Sequence, residues 1–543
     1  MTWDARYRLI LLSACLALFT ANLGGRDFWE PDEPRYAGIA RGIVESGNYL
    51  SLTENGRPYT HKPPLYFWLL AAVGSLGPGV TPLSARIPNS LLALAAVFLL
   101  YRLGRDHFSP LAGLFGALVL ATTQRFFLEA RWVHLDMLLT LCVLWALDES
   151  FRALERQERW RWALVYLAAG LGCLTKGPVA LAIPGAVLIT FLASTRELSR
   201  LKETGWWWGI PAALLPAGLW LWVFSRSAGF DPGGVVRIHV FRRLWEGVHH
   251  PRPLYYYFLS LPLEFLPWTP FLAGAVVSTF PRLGGAKSRP TLFLYAWIVG
   301  GLALFSLAAE KRPSYLLPIL PPLALLIGLL FENYLIRWDA APIRKWIGAP
   351  LLAYSAVCLG GVLWIPFGAK AHSGLAERLL PVGILYIVAF AAALTALRLG
   401  RRGATLVLLL AGFWGGYLWI AGSLLPWLNG YKSARPFSER ILSRIGPAPL
   451  GIFKDYNAGF GFYTRRRMQV IRRSADLEGF LSQPGVAFCL VPSGDYDHLR
   501  RQIPLREWDR EAVGHRVFVL VSRAEAASPP PIILKSPSPR RMP

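Results

Sequence analysis

Thirteen stretches of this chain are apolar over close to the length of about 20 residues that carries a helix across the hydrocarbon of a bilayer. They fall near residues 8–24, 86–104, 109–124, 134–151, 161–175, 178–194, 206–225, 256–280, 291–307, 314–332, 346–366, 379–397 and 404–421. Backbone groups inside a bilayer find no water, so each span must satisfy its own N–H and C=O groups, and a chain with many spans becomes a helical bundle. Composition agrees: 54% of the 543 residues are hydrophobic and mean hydropathy is +0.38. The expected fold class is an α-helical polytopic membrane protein of about 13 transmembrane helices with a small C-terminal α/β domain. Residues 65–76 are apolar but short and follow Pro63-Pro64, which predicts a helix lying in the membrane interface.

Loop charge sets the orientation. With the N-terminus inside, alternate short loops carry Arg102/Arg105, Arg152/Arg156/Arg159/Arg161, Arg196/Arg200/Lys202, Arg282/Lys287/Arg289, Arg337/Arg344/Lys345 and Arg398/Arg401/Arg402, and the opposite loops are poorer in basic residues. The alternation favours an odd number of spans and an outer C-terminal region. The first stretch, with basic residues before it and small ones after, also fits a signal peptide; a first span that stays in the bundle is the preferred reading. The formal charge of +24 is that of cytoplasmic loops and of sites facing lipid phosphate, and no basic soluble module points to nucleic acid. Cys15, Cys142, Cys173 and Cys358 lie in apolar segments, and with Cys489 they form no CxxC pattern, so they read as small buried hydrophobes rather than a disulfide or zinc framework.

Residues 1–429 read as the membrane domain, with an outer loop over 25–85. Residues 430–525 change rhythm. Short β-rich runs at 450–454, 468–471, 486–491 and 517–521 alternate with polar helical stretches, which predicts a small α/β domain with a partly parallel sheet. Residues 526–543 are rich in Pro, Ser, Lys and Arg and read as disordered.

The unusual polar residues fall on the outer side. Trp29-Glu30-Pro31-Asp32-Glu33-Pro34-Arg35-Tyr36 follows the first span, and two adjacent acids at a bilayer edge are costly unless they serve a function. His61 and Lys62 share that loop. Arg131, His134 and Asp136 precede or open the fourth span, Lys176 stands in Thr175-Lys176-Gly177-Pro178, and His239, Arg242, Arg243, His249, His250 and Arg252 occupy a long loop. Glu310-Lys311-Arg312-Pro313-Ser314-Tyr315 precedes the tenth span. Acids and cations recurring at one depth suit a site that binds an anionic lipid-linked group and moves a proton. Each residue also has a structural reading: Asp32 as a helix cap, Lys176 as a snorkelling side chain, and the histidines and Arg242-Arg243 as solvated surface groups. His249-His250 could hold a metal by their spacing, but a solvated pair is the preferred reading.

The first-loop signature resembles that of the bacterial aminoarabinose transferases that modify lipid A. These are C-type integral-membrane glycosyltransferases, with protein O-mannosyltransferases as relatives. His61-Lys62-Pro63, Leu135-Asp136, Thr175-Lys176-Gly177, His239-Val240-Phe241-Arg242, Leu266-Pro267-Trp268 and Lys311-Arg312-Pro313-Ser314-Tyr315 follow in the family's order, so the resemblance covers about residues 1–430. It implies a polyprenyl-phosphate-linked sugar donor, a lipid or glycan acceptor, inversion at the anomeric carbon, and a site on the periplasmic side of the bacterial inner membrane. Carried onto this sequence, Asp32 is the general base, with Glu33 beside it and Asp136 as a second acid. Lys62, Lys176, Arg242 and Lys311 are phosphate ligands. Arg35, Tyr36 and Tyr315 bind or position the donor. The family often has Glu before the Lys-Pro, and here His61 stands there; if its divalent-metal site persists, His61 and His239 are the ligands. The departure leaves sugar and acceptor open. Within this fold the alternative is a protein O-mannosyltransferase or an envelope-polysaccharide transferase. The alternative of another class is a lipid or solute transporter, for which broken helices or related halves are expected; neither is read in the sequence.

Overall fold

A computed structural model describes residues 3–228, 230–236, 252–280, 289–336, 341–368 and 374–524. The chain divides into two compact units. One comprises Met1–Gly25, Ile43–Leu52 and Tyr59–Leu425, and the other Arg26–Gly42, Thr53–Pro58 and Pro426–Pro543.

The first unit is a helical bundle. Among the described residues seven helices are long and apolar enough to cross a membrane, or nine if each of two bent pairs counts as one span. The other four apolar stretches are also helical. Val179–Ser194 and Arg161–Lys176 have 16 residues each, Trp3–Thr20 carries Asp4, Arg6 and Arg8, and Asp136–Arg156 carries Asp148, Glu149 and Arg152. Leu65–Ser75 is a helix of 11 residues. The core is built around Leu320–Ile336, whose residues are almost all buried. Phe331 on this helix meets the rings of Phe115, Trp268 and Phe271, each with centroids 5.8 Å away.

Small residues bring these helices together, as expected where lipid supplies no hydrophobic drive between them. A Cβ on Gly328 would run into the carbonyl of Ala112 and lie 2.6 Å from the amide nitrogen of Gly116 on Pro110–Ala121.

The two bent pairs correct the sequence reading, which saw no broken helix. Pro110–Ala121 turns by 69° into Gln124–Ala130, and Tyr256–Glu264 by 106° into Thr269–Thr279. At the first break Thr122 and Thr123 turn their hydroxyls back onto the carbonyls of Leu118 and Val119, at 2.6 and 2.8 Å. Backbone groups freed by a break must find partners inside the protein. The breaks supply each other: Gln124 N–H donates to the Leu266 carbonyl at 2.7 Å, and buried Trp268 donates through Nε1 to Thr122 Oγ1 at 3.2 Å. Broken helices therefore do not separate a transporter from an enzyme here.

The second unit holds a five-stranded sheet in the order Gln469–Ile471, Leu450–Phe453, Phe488–Pro492, Arg516–Arg523, Leu505–Val513. The first three strands are parallel and the last two pair antiparallel. Central strands are apolar on both sides because helices cover both faces. Phe488, Leu490, Phe518 and Leu520 pack with Phe437 and Ile441 of Arg435–Ile445, while Cys489, Val491, Val519 and Val521 pack with Leu477 and Phe480 of Ser474–Leu481. The strand Leu505–Val513 was not anticipated. Its Arg506, Glu507, Asp509, Arg510 and Glu511 obscure the pattern, as charge on an edge strand does.

Residues 26–42 and 53–58, read from sequence as part of the membrane domain's first loop, group instead with this unit. Trp29 forms a β-bridge with Ser433, and the Asn55 side chain accepts from Met468 N–H at 2.8 Å and donates to its carbonyl at 2.7 Å. Pairings more than 400 residues apart leave no local signal. The expected disordered tail lies outside the described residues.

Gly328→Val should destabilise the membrane unit by about 1–3 kcal/mol through overpacking. Gly361→Val, where no atom lies within 4 Å of the added Cβ, should not. Thermal melting of the two variants in detergent checks this, and equal melting points would count against the close approach.

Candidate functional site

Each unit carries a cluster of the singled-out residues. In the membrane unit Asp136 opens the helix Asp136–Arg156 and Lys176 ends Arg161–Lys176. Gly177 at φ 85° adopts the left-handed turn that only glycine takes easily, and it stops the helix at Lys176. The Lys176 ammonium is ion-paired with Asp136 Oδ1 and stands 4.3 Å from the centre of the Tyr315 ring. Asp136 Oδ2 lies 2.9 Å from His134 Nδ1, which is also 2.8 Å from Glu129 Oε2. Glu129 Oε1 is 3.4 Å from Arg125, whose Nε donates to Glu264 at 2.5 Å. Burial disfavours a charged imidazole, but the carboxylates of Glu129 and Asp136 outweigh it and hold the His134 pKa well above its ordinary value.

The loop that delivers these groups is clamped from below. Fully buried Asn89 donates to the carbonyls of Glu129, Trp132 and His134 at 3.1, 2.6 and 2.7 Å, and its own oxygen accepts from Tyr66 OH at 2.9 Å. Arg131 donates to the carbonyls of Leu18 and Ala21 at the end of Trp3–Thr20, so its role there is that of a helix cap. The Lys311 ammonium donates to the carbonyls of Ala308 and Arg252 at 2.5 and 3.1 Å, and burial lowers its pKa. Lys62 is half-buried and His61 exposed, with the His61 ring 5.3 Å from Tyr59. Arg242, Arg243, His239, His249 and His250 lie outside the described residues. Among the described residues no group of three or more His, Cys, Asp or Glu side chains is placed to hold a metal. With His61 the single described member of the expected pair, no step is assigned to a metal.

In the second unit the signature folds on itself. Asp32 opens the helix Asp32–Ser46, with Arg35 NH1 3.7 Å from its Oδ1. Arg35 Nε also donates to Glu54 at 2.8 Å. Glu33 is engaged differently from Asp32. It accepts both ends of the buried Arg26 guanidinium at 2.6 and 2.8 Å and the Trp29 N–H at 3.1 Å. Arg26 lies 4.4 Å from the Trp29 ring centre, and Trp29 Nε1 donates to Asn429 at 3.1 Å. Glu33 thus holds the loop in shape, and Asp32 is the acid of the pair left on the more open side. Tyr36 is buried. Glu30 accepts from the Gly459 N–H, and burial pushes its carboxyl up to about 7 against the opposing pull of that bond and of Arg35.

Sequence reasoning missed Glu129, Arg125 and Glu264. A signal existed for two of them: Arg125 and Glu129 stand four apart, the spacing of a helical ion pair, beside the charges that were noticed.

The chain combines helices apolar and long enough to cross a membrane, a half-buried lysine at a helix end against an aspartate, and a two-acid signature. Known proteins resemble it in sequence and in fold. Residues 61–222 match the family described as dolichyl-phosphate-mannose-protein mannosyltransferase. The chain is 31% identical over 358 residues to the undecaprenyl phosphate-alpha-4-amino-4-deoxy-L-arabinose arabinosyl transferase of Pseudomonas aeruginosa (strain LESB58). That match covers 64% of this chain and 64% of the relative's own length. The fold is that of ArnT from Cupriavidus metallidurans. Its apo structure aligns with a TM-score of 0.81 at 20% identity over 97% of this chain and 100% of that one. Its structure bound to undecaprenyl phosphate aligns at 0.78, over 96% and 99%. The resemblance to the aminoarabinose transferases thus holds beyond the first-loop signature.

Glu30 makes a pH prediction. Its folded pKa is raised from 4.5 to about 7, so the fold favours the protonated form; its contribution to stability is complete below 4.5 and is lost as pH rises through about 7. Between about pH 5 and about pH 8 the wild type should lose more thermal stability than Glu30→Gln. Equal losses would show that Glu30 does not titrate there.

Proposed function

We propose that this chain is an inverting glycosyltransferase that moves a sugar from a polyprenyl-phosphate donor to a lipid A or other envelope acceptor on the periplasmic side of a bacterial inner membrane. The observation that carries the reading is Lys176. It is a cation fixed at the end of an apolar helix, against Asp136 and under Tyr315, in a chain similar to transferases named for an undecaprenyl-phosphate donor. The bond from the anomeric carbon to the donor phosphate breaks and one to the acceptor oxygen forms. Negative charge builds on the departing polyprenyl phosphate, and cations preset around it lower the barrier. Lys176, Lys62, Arg242 and Lys311 are the assigned cations, and Arg35, Tyr36 and Tyr315 orient the donor. An acceptor hydroxyl gives its proton to a carboxylate, and Asp32 is assigned that role.

Asp32→Asn should abolish transfer while yield and melting stay near wild type. Arg26→Ala should cost about 3–5 kcal/mol of stability by stranding Glu33. Lys176→Ala, Lys62→Ala and Arg242→Ala should weaken binding of labelled polyprenyl phosphate in detergent. Normal turnover by Asp32→Asn, or unchanged affinity in all three cation variants, would sink the assignments. The match to a protein mannosyltransferase family supports a second reading, in which the acceptor is a protein. Mass spectrometry of lipid extracts and of envelope proteins from a deletion strain separates the two by which one loses a sugar.

In this reading all thirteen helical segments cross the bilayer, the N-terminus is cytoplasmic and the C-terminal unit periplasmic, because short loops rich in Arg and Lys resist translocation. Alkaline phosphatase fused at Gly56 or Ser522 should be active and at Glu158 silent. Activity at Glu158 would overturn the orientation.

A further inference from the structure

We infer that His134 is a positioning residue, a cationic bridge between Glu129 and Asp136 that fixes the Asp136 carboxylate against Lys176; the inference rests on the reading of Lys176 as a donor-phosphate ligand. The geometry points to the bridge. One ring nitrogen, Nδ1, faces two carboxylate oxygens at 2.8 and 2.9 Å, so it must carry a proton to serve either. The charges then alternate without a break along Glu264, Arg125, Glu129, His134, Asp136 and Lys176. A neutral ring would leave Glu129 and Asp136 facing each other with one negative charge uncompensated, in a place where both side chains are 2% exposed.

The consequence concerns Lys176. Asp136 spends Oδ2 on His134 and Oδ1 on Lys176. Removing the bridge frees the carboxylate to rotate, and the ammonium follows it away from Tyr315. Charged groups around His134 include Glu129 and, one step on, Arg125 from Gln124–Ala130, Asp136 from Asp136–Arg156 and, through Asp136, Lys176 from Arg161–Lys176. Asn89 from Pro82–His107 holds the backbone between them.

The test uses the full chain in detergent and two readouts across pH, melting temperature and binding of undecaprenyl phosphate. A histidine whose folded pKa is raised supports stability fully below its unfolded value of about 6.5, and the support is lost as pH climbs through the folded value. Glu129→Gln removes one of the two carboxylates, so the alkaline loss of both stability and binding should move to lower pH. His134→Gln should weaken binding by at least about tenfold, the size expected when a donor to a charged group is lost, with no inflection left from this ring. An alkaline limb that stays in place in Glu129→Gln overturns the bridge, whether or not His134→Gln folds. A limb that moves in melting while His134→Gln binds normally overturns the positioning role. Wild-type protein that shows the limb in melting but never binds the lipid phosphate keeps the bridge, defeats the link to donor binding and counts against the proposed function.

Discussion

A line of paired charges, Glu264 to Arg125 to Glu129 to His134 to Asp136 to Lys176, is the constraint on which the membrane unit depends. Each ion taken from water alone costs several kcal/mol, and only close pairing offsets that cost. The pairing holds only if four helices end or break in register. Lys176 is the last residue of its helix, Asp136 the first of the helix before it, Arg125 sits just past the break at Thr122 and Glu264 just before the break at Pro267. Gly177, the clamp by Asn89 and the bond between the two breaks each serve this registration.

The broken helices have the same origin. An unbroken helix across residues 110–130 would send Arg125 and Glu129 on along its own axis. The 69° turn carries the short helix Gln124–Ala130 aside, and the chain then reaches Asp136 through five residues held by Asn89. The break leaves backbone donors without helical partners, and the second break lies where it can accept from them. Sequence gave Leu266-Pro267-Trp268 only as an element of a resemblance. The structure gives its parts work: the Leu266 carbonyl receives Gln124, and Trp268 fills the core between Phe331 and Phe413 while reaching Thr122.

The helices were legible because spanning a bilayer forces about 20 apolar residues into one segment, and all thirteen stretches are helical. Asp136 and Lys176 were legible because charge at the end of an apolar segment stands out. Glu129 was not, since its importance lies in facing His134, five residues on and across a turn. The same holds for Glu33. Adjacent to Asp32 in sequence it looked like a partner in chemistry, and a bidentate pair with Arg26 gives it a structural task that only the folded loop displays. The charged edge strand Leu505–Val513 was hidden for the opposite reason, because its exposure removes the apolar pattern by which strands are read.

The helix Asp136–Arg156 adds a last point about fixity. Asp148 and Glu149 lie past its middle, about 18 Å from Asp136 at 1.5 Å per residue. Asp148 is wholly buried and meets Arg102 at 2.5 Å and Arg152 at 3.0 Å; Glu149 meets Arg161 at 2.6 Å and Arg102 at 3.0 Å. These arginines were counted from sequence as loop charge, and each is paired with a buried acid. Sliding or turning the helix would break ion pairs at both places at once, and breaking one buried pair costs about 3–5 kcal/mol. A carboxylate that must hold one ammonium in place gains from such a mount. The rigidity of Asp136 therefore comes from contacts at two places on its helix, and in the proposed function the cation it holds meets the donor phosphate without first being ordered by it.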